Sequence, residues 1–473
     1  MANNIPENSA QGAVIDLFGL DSRSVQSISS EFHNNTHYVH ITLVPDYPPC
    51  PECHSENPIV KSYIPKRIKH SVITEAGCVL LYNARRYKCP ICGRTYYEPN
   101  PFAFKFKRIS HRTILNVLEL LRSPSVTFKM AADQNGISPT TAQSIFDQYI
   151  DYPKPEHLPK ILLVDEVYAF KSEDSKYVCV LLDYEKMEPL DLLPNRRKET
   201  LLDYFYSFPR EERKKVRYFA SDMYETYRSV ARECFPNAVI GCDRFHVLQE
   251  FTRRMTEVRI RVMKGYDKKS EGYYLLKHQY ELLNIRPDAT FRKKSEGKES
   301  PKELVFDPCG KRQYNNFYKR KMNKFELLRN LRSLSWEIEK AYDFKNELSD
   351  FYRNETLETA EKKLNEIIRE LEKSRIPEME KFAGTLRSWS REIINSFHIV
   401  KKDYRVNGKT GEVYEVEHHL TSSLAENRNK ILKQLKICAN GYANWERMRN
   451  RGLYVMDKNP VIRAEPKKEK RRK

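Results

Sequence analysis

Two cysteine pairs, Cys50-Pro51-Glu52-Cys53 and Cys89-Pro90-Ile91-Cys92, carry the chemistry most sharply defined by spacing. Two CxxC knuckles supply four thiolates, the donor set of a tetrahedral zinc ion, and Gly93 directly after the second suits a tight knuckle turn. With all four positions filled by protein and none left for water, such a Zn²⁺ is structural rather than catalytic. The 35 residues between the pairs exceed the usual ribbon spacing and leave redox-active CxxC pairs as the alternative. That alternative needs a thioredoxin-like βαβ setting, which the flanking sequence does not offer. The other six cysteines, Cys78, Cys179, Cys234, Cys242, Cys309 and Cys438, sit among apolar or helical neighbours and read as ordinary buried thiols.

A second chemistry would rest on hard oxygen ligands. Asp165 follows the apolar run ILLV at 161–164, Asp222 follows the fourth strand candidate, and Glu426 lies in the first turn of the last helical segment. Carboxylates on rigid elements can hold two divalent cations, which phosphodiester cleavage and strand transfer use to activate an attacking water or 3′-hydroxyl and to stabilise the leaving oxyanion. Spacing alone does not single these three out. Asp165 could simply end a strand, Asp222 could cap the helix behind it, and Ser423-Leu424-Ala425-Glu426 is a capping box in its own right. Glu166 rivals Asp165, but strand alternation turns it to the opposite face. Asp243 and His246 in CDRFHV take a supporting role beside the acids. Arg196, Arg197 and Lys198 after the third strand are candidate phosphate contacts, although a solvated basic loop would look the same.

The elements that must position these groups can be read along the chain. Residues 36–47 alternate β-branched and aromatic side chains and open a small strand-rich module that runs through both cysteine pairs to Pro99 and Pro101. Residues 111–122 read as a helix and two shorter ones follow. In the second and third, Asn135-Gly136 supplies the turn and Ser138-Pro139 an N-cap with a first-turn proline. That is helix-turn-helix grammar, with Thr140, Thr141, Gln143 and Ser144 as short polar residues suited to base edges and phosphates. A plain helical hairpin would carry the same caps. After Pro153, Pro155 and Pro159, strands are expected at 161–164, 177–183 and 189–193 as an antiparallel meander. Further strands are expected at 216–220 and 238–242 around a helix at 224–235, then long charged helical sequence to about 398 and a last helix from near Ser423.

Composition sets outer limits. At 473 residues two to four domains are expected. A 40% hydrophobic and 31% charged chain belongs in water, and no run approaches the roughly 20 apolar residues of a membrane span. The first residues lack the features of a secretory signal, so the cytoplasm is the expected location. A net charge of +19 makes a polyanion the natural partner, with nucleic acid ahead of a membrane surface. The tail EPKKEKRRK reads as a solvated basic arm.

The segments LLVDEVY (162–168), FASDMYETY (219–227), CDRFHV (242–247) and LAENRNKILKQLKICANGYANWERMRNR (424–451), with CPEC and CPICGRTY ahead of them, together resemble the ISL-three group of bacterial insertion-sequence transposases. The resemblance covers nearly everything from Cys50 to Arg451. It implies an α/β catalytic domain, an RNase H-like mixed sheet with a long helical insertion, plus a zinc-binding β module and a helix-turn-helix. The corresponding divisions are a zinc module at 36–100, a helix-turn-helix at 105–152, a catalytic domain at 160–250 resumed by a final helix at 416–455, an insertion at 251–415 and a basic tail at 456–473. It further implies that Asp165, Asp222 and Glu426 are the catalytic triad, binding Mg²⁺ or Mn²⁺, and that structural Zn²⁺ sits on Cys50, Cys53, Cys89 and Cys92. The implied partners are double-stranded DNA, both element terminal inverted repeats and target, and further copies of the chain in a dimer or larger synaptic assembly. The implied location is the cytoplasm, on the bacterial nucleoid. Two other readings compete: a non-enzymatic DNA-binding relic with idle acids, and an RNase H-like repair nuclease.

Overall fold

The computed structural model describes residues 22–73, 75–104, 107–170, 175–292, 302–408, 410–421 and 423–467. They fall into two compact units, one from Met1–Lys154, Tyr168–Lys176 and Lys430–Lys473, the other from Pro155–Val167 and Tyr177–Asn429. Among the described residues no helix is long and apolar enough to cross a membrane.

The first unit opens with a hairpin, β1 (Val25–His33) and β2 (Thr36–Leu43), joined through Asn34 and Asn35 at φ 49° and 53°. Asparagine is suited to this left-handed two-residue turn. A long hairpin follows, β3 (Ile59–Ile73) against β4 (Ala76–Lys88), and β5 (Thr95–Tyr97) pairs with the far end of β4. The sheet runs β1-β2-β4-β3, with β2 and β4 parallel. Val39, Ile41, Ile68, Leu80 and Tyr82 pack with Phe102 on its buried face. The sheet therefore begins before residue 36, where sequence alternation first becomes visible. In β1, only Val25 is buried, and serines and Gln26 dilute the period-two signal.

Three helices follow: α1 (His111–Leu120), α2 (Phe128–Gln134) and α3 (Pro139–Tyr149). Ser110, Thr127 and Ser138 each cap one, their side chains accepting from the N–H of Thr113, Met130 and Thr141. Gly136, at φ +62°, makes the turn between α2 and α3, and a Cβ there would lie 3.2 Å from Val72. The sheet is tied to these helices by buried polar bonds. His70 Nδ1 lies 2.9 Å from Ser110 Oγ, and the Ser71 hydroxyl donates to Asn135 Oδ1 at 2.8 Å.

The second unit is built on β6 (Ile161–Val167), β7 (Val178–Asp183) and β8 (Glu188–Leu193), the antiparallel meander expected from the sequence. Helices α4 (Lys198–Tyr206) and α5 (Arg210–Lys215) lead to β9 (Tyr218–Ser221), and α6 (Glu225–Cys234) crosses over to β10 (Val239–Cys242). The sheet order is β10-β9-β6-β7-β8, with β9 parallel to both β6 and β10. Leu162, Val164, Cys179 and Phe219 pack on Leu201, Phe205, Tyr227 and Ala231 of α4 and α6, which fixes the direction of each alternate residue along β6.

Beyond the sheet, α7 (Arg244–Lys264) and α8 (Glu271–His278) lead to two short hairpins, β11 (Thr290–Arg292) with β12 (Lys302–Leu304) and β13 (Gln313–Asn315) with β14 (Arg320–Met322). Then come α9 (Lys324–Arg332), α10 (Trp336–Asn354), α11 (Ala360–Glu372), α12 (Pro377–Ser388) and α13 (Ser390–Asn395). They share one apolar core with α7, including Phe251, Met255, Leu331, Tyr342, Leu364 and Phe382. Arg228 and Arg232 of α6 both reach Glu392 of α13, which is 2% exposed. The 251–415 segment is thus not wholly helical. Besides the two small hairpins it contains most of a longer one, β15 (Ile399–Val406) and β16 (Val413–His419). Charges on both faces of that hairpin remove the alternation by which a strand is recognised.

The chain closes with α14 (Ser423–Ala439) and α15 (Trp445–Met456). Residues 416–455 therefore form the end of a strand and two helices, not one helix; Asn440 and Gly441, at φ 53° and 95°, separate the helices. From Lys430 onward the chain belongs to the first unit, where Tyr454 joins the core of α1–α3. The described part of the basic tail is bonded within that unit: the amides of Arg463 and Lys467 donate to the carbonyls of Tyr149 and Gln148. Residues 468–473 lie outside the described residues. Of the six remaining cysteines, Cys78, Cys179, Cys234 and Cys242 are buried, whereas Cys438 is half-buried and Cys309 exposed. Cys309 differs because it lies in a turn, its amide held by the Asp307 carboxylate.

Candidate active site and cysteine cluster

In the first unit the long β3–β4 hairpin explains the wide cysteine spacing. Its strands pair Ile59 with Lys88 at the open end, so the knuckle before β3 and the knuckle after β4 meet. The four sulfurs lie within 4.8 Å of one another, with Cys50 Sγ to Cys92 Sγ and Cys53 Sγ to Cys89 Sγ at 3.6 Å. A tetrahedron with ~2.3 Å zinc–sulfur bonds has edges of about 3.8 Å, so the donor set fits Zn²⁺. The knuckles share one geometry. His54 N–H donates to the Cys50 carbonyl as Gly93 N–H does to that of Cys89, and both donor residues are left-handed, at φ 56° and 70°. The Cys92 and Ile91 amides point at Cys89 Sγ and hold that thiol down to about 6, favouring the thiolate a metal requires.

The second unit brings two of the expected acids together. In the parallel pairing of β6 with β9, Leu163 stands opposite Ala220. Asp165 lies two residues further along β6 and Asp222 directly follows β9, so the two carboxylates come close enough for the charge of Asp165 to act on Asp222. Burial pushes the Asp165 carboxyl up to about 6, against the Glu166 amide and the charge of His246, which favour ionisation. Burial, then the negative charges of Glu166 and Asp165, push Asp222 up to about 7. Asp222 Oδ1 is buried without a hydrogen-bond partner. Two buried carboxylates, mutually repelling and with an unfilled acceptor, are an arrangement that a divalent cation would satisfy.

Glu426 lies in the first turn of α14 and is exposed. One turn on, Asn429 reaches Asp165, its Nδ2 donating to Oδ2 at 2.8 Å. The three carboxylates do not close into a cage. Among the described residues the four cysteines are the one group of three or more metal-binding side chains whose ligand atoms all lie within 4.8 Å. Asn429 was missed from the sequence; its signal was its place three residues after Glu426, on the same helix face.

Glu166 points the other way from Asp165, towards α4 and α6. It holds Arg196 and accepts from Tyr227 Oη at 3.3 Å. Arg196 is thereby committed, its guanidinium 4.5 Å from the ring centres of both Tyr177 and Tyr224. Lys198 pairs with Glu233 at 3.3 Å, and Arg197 is the N-cap residue of α4. Asp243 continues the row of strand-end acids beside Asp222, but it serves as the N-cap of α7. Its Oδ1 accepts from Phe245 N–H at 2.7 Å and its Oδ2 from the Thr421 hydroxyl at 3.1 Å. His246 lines a cleft of about 700 Å³ with Asp222, Gln249, Thr252, Arg253 and Trp389. In the first unit Thr140 and Ser144 are exposed and Thr141 and Gln143 half-buried along α3. Thr140 and Thr141 hydroxyls both bond Ser138, and Ser144 accepts from Gln148.

The parallel β6–β9–β10 core thus carries Asp165, Asp222 and Asp243 near the carboxyl ends of its strands. A family model described as a transposase, that of the ISL3-type DDE group, matches residues 162–410. This is more than half of the chain, and the chain belongs to that family. The match takes in Asp165 and Asp222 and stops short of Glu426. Over 220 residues the chain is 24% identical to the transposase for insertion sequence element IS1001 of Bordetella parapertussis, covering 45% of this chain and 52% of that protein. The chain thus spans about half the length of the curated relative it matches.

Proposed function

We propose that the chain is a DNA transposase that binds the terminal repeats of its element and carries out metal-dependent DNA cleavage and strand transfer. The observation that carries this reading is the juxtaposition of Asp165 on β6 with Asp222 directly after the parallel strand β9, both with raised proton affinity and one with an unfilled oxygen. The strand order β10-β9-β6-β7-β8 supports an RNase H-like sheet. When bound, Mg²⁺ or Mn²⁺ ions supply activation of the attacking oxygen and stabilisation of the leaving one. Asp165 and Asp222 hold the cations on rigid strand ends, and Glu426 supplies the third carboxylate from α14. Asp243 fixes the start of α7 and so keeps His246 at the mouth of the cleft.

The first unit is the DNA-reading part. Zn²⁺ on Cys50, Cys53, Cys89 and Cys92 locks the open end of the β3–β4 hairpin, and α2–α3 act as a helix-turn-helix with Thr140, Thr141, Gln143 and Ser144 presented to DNA. Two element ends must be paired before strand transfer, so the working form is a dimer or larger assembly, located on DNA in the cell.

The test is cleavage of oligonucleotides carrying the element end, in Mg²⁺, Mn²⁺ or Ca²⁺. Asp165→Asn, Asp222→Asn and Glu426→Gln should each retain end binding and lose metal-dependent cleavage. Cleavage by the wild type that persists in these variants would remove the assignment. Wild-type binding without any cleavage would instead support the non-enzymatic relic.

A further inference from the structure

The buried amide of Asn429 bridges the helix that carries Glu426 and the strand that carries Asp165. The residue is 7% exposed. A carboxylate can only accept, so the amide end facing Asp165 Oδ2 at 2.8 Å must be Nδ2, and the same nitrogen lies 3.4 Å from the Glu166 carbonyl. This orientation leaves Asn429 Oδ1 buried with no hydrogen-bond partner. Leaving a buried acceptor unfilled costs about 1–3 kcal/mol, a penalty a hydrophobic residue of similar size would avoid. Packing alone therefore does not explain an asparagine here. The other oxygen of Asp165, Oδ1, accepts from the Glu166 N–H at 2.7 Å, so the two donors together fix the carboxylate plane. Asp222 Oδ1, on the neighbouring strand, is a second unfilled buried acceptor.

We propose that Asn429 is the positioning residue of this site: its amide sets the rotamer of Asp165 and docks the first turns of α14, with Glu426, onto the carboxyl end of β6. The inference rests on the transposase reading only in taking Asp165 as a cation ligand. Partners that orient metal-binding carboxylates typically change metal affinity by about 10–100-fold when removed.

The experiment measures Mn²⁺ binding by electron paramagnetic resonance and thermal unfolding with and without Mn²⁺, on the full chain, for wild type, Asp165→Asn, Asn429→Ala and the isosteric Asn429→Asp. Asn429→Ala should weaken Mn²⁺ binding at least about tenfold while DNA end binding is kept. Asn429→Asp replaces a hydrogen bond by a repulsion that a cation relieves, so Mn²⁺ should raise its unfolding midpoint more than that of the wild type. If Asn429→Ala does not fold, Asn429→Asp alone decides. Unchanged Mn²⁺ affinity in Asn429→Ala, or a wild-type-sized Mn²⁺ shift in Asn429→Asp, overturns the proposal. If Asp165→Asn binds Mn²⁺ as the wild type does, the site assignment itself fails. If Asp165→Asn loses Mn²⁺ while the Asn429 variants do not change, only the role of Asn429 fails.

Discussion

Asp165 and Asp222 lie 57 positions apart in the chain and side by side in the sheet, because β6 and β9 run parallel with Leu163 opposite Ala220. Parallel strands place their carboxyl ends at one edge, so Asp165, near the end of β6, and Asp222, directly after β9, bring like charges together. Without a cation this is a strained arrangement. Burial raises both carboxyls: Asp165 to about 6, with the charge of Glu166 adding, and Asp222 to about 7, with the charges of Glu166 and Asp165 adding.

Removing one of these charges should therefore stabilise the metal-free protein. Asp222→Asn keeps the shape, removes the repulsion with Asp165 and Glu166, and supplies N–H donors in the place of an unpaired oxygen. We expect metal-free stability to rise by about 1–2 kcal/mol and the stabilisation by Mg²⁺ to vanish. Denaturant melts with Mg²⁺ and with chelator check both halves. A metal-free loss of stability would show that Asp222 is held by partners other than a cation.

The cysteine cluster yields a separate expectation. If the four sulfurs that converge beside the open end of the β3–β4 hairpin hold one ion, as proposed, purified protein should contain one zinc per chain. Cys89→Ser should lower that content and destabilise the first unit, since a thiolate already stabilised by two amides is replaced by a weaker ligand. Atomic absorption gives the stoichiometry. Retention of full zinc by Cys89→Ser would exclude the four-cysteine site.

These features were unequally legible in the sequence. The knuckles announced themselves because CxxC spacing is local, and the meander β6–β7–β8 because its strands are apolar throughout. The α2–α3 turn was equally readable, since Gly136, Ser138 and Pro139 are each demanded by backbone geometry. The approach of Asp165 to Asp222 depends on sheet register, which no local pattern encodes, and only the family resemblance pointed to it. Asn429 was hidden for the same reason: its partner is 264 residues away. Hairpin β15–β16 was missed because Lys402, Glu415 and Glu417 pair across an exposed face, so alternation carries no polarity. Arg196 read as a phosphate contact because sequence shows a charge and not its partner; in the fold it is held by Glu166.

The helical insertion is anchored to the sheet by Glu392, and this anchor should be expensive to break. Arg228 reaches it at 3.6 Å and Arg232 at 2.7 Å, while Arg228 also donates to the Ser388 carbonyl at 2.7 Å and lies 4.0 Å from the Trp389 ring centre. Glu392→Ala removes the buried carboxylate from between the two guanidiniums while Arg228 keeps its pairing with Glu225, at a cost of about 2 kcal/mol. Arg232→Ala removes only the exposed partner and should cost under about 1 kcal/mol. Comparable losses from the two variants would place the anchor elsewhere.

A pH dependence should arise where the sheet of the first unit meets its helices. His70 is 4% exposed, bonded to Ser110 Oγ, and burial followed by the charge of Arg112 pushes its imidazole down to about 4. The folded protein thus disfavours the protonated ring relative to the unfolded chain, whose histidine titrates at 6.5. A depressed folded-state value contributes stability that is present above pH 6.5 and is lost as pH falls towards 4. The whole span corresponds to about 3 kcal/mol. Other groups also titrate on acidification, so the measurable quantity is a difference. Between pH 7.5 and pH 5 the wild type should lose more denaturant stability than His70→Asn, which keeps a polar contact to Ser110 and cannot take up the proton. Parallel pH profiles for the two proteins would show that His70 is not the group that couples protonation to this interface.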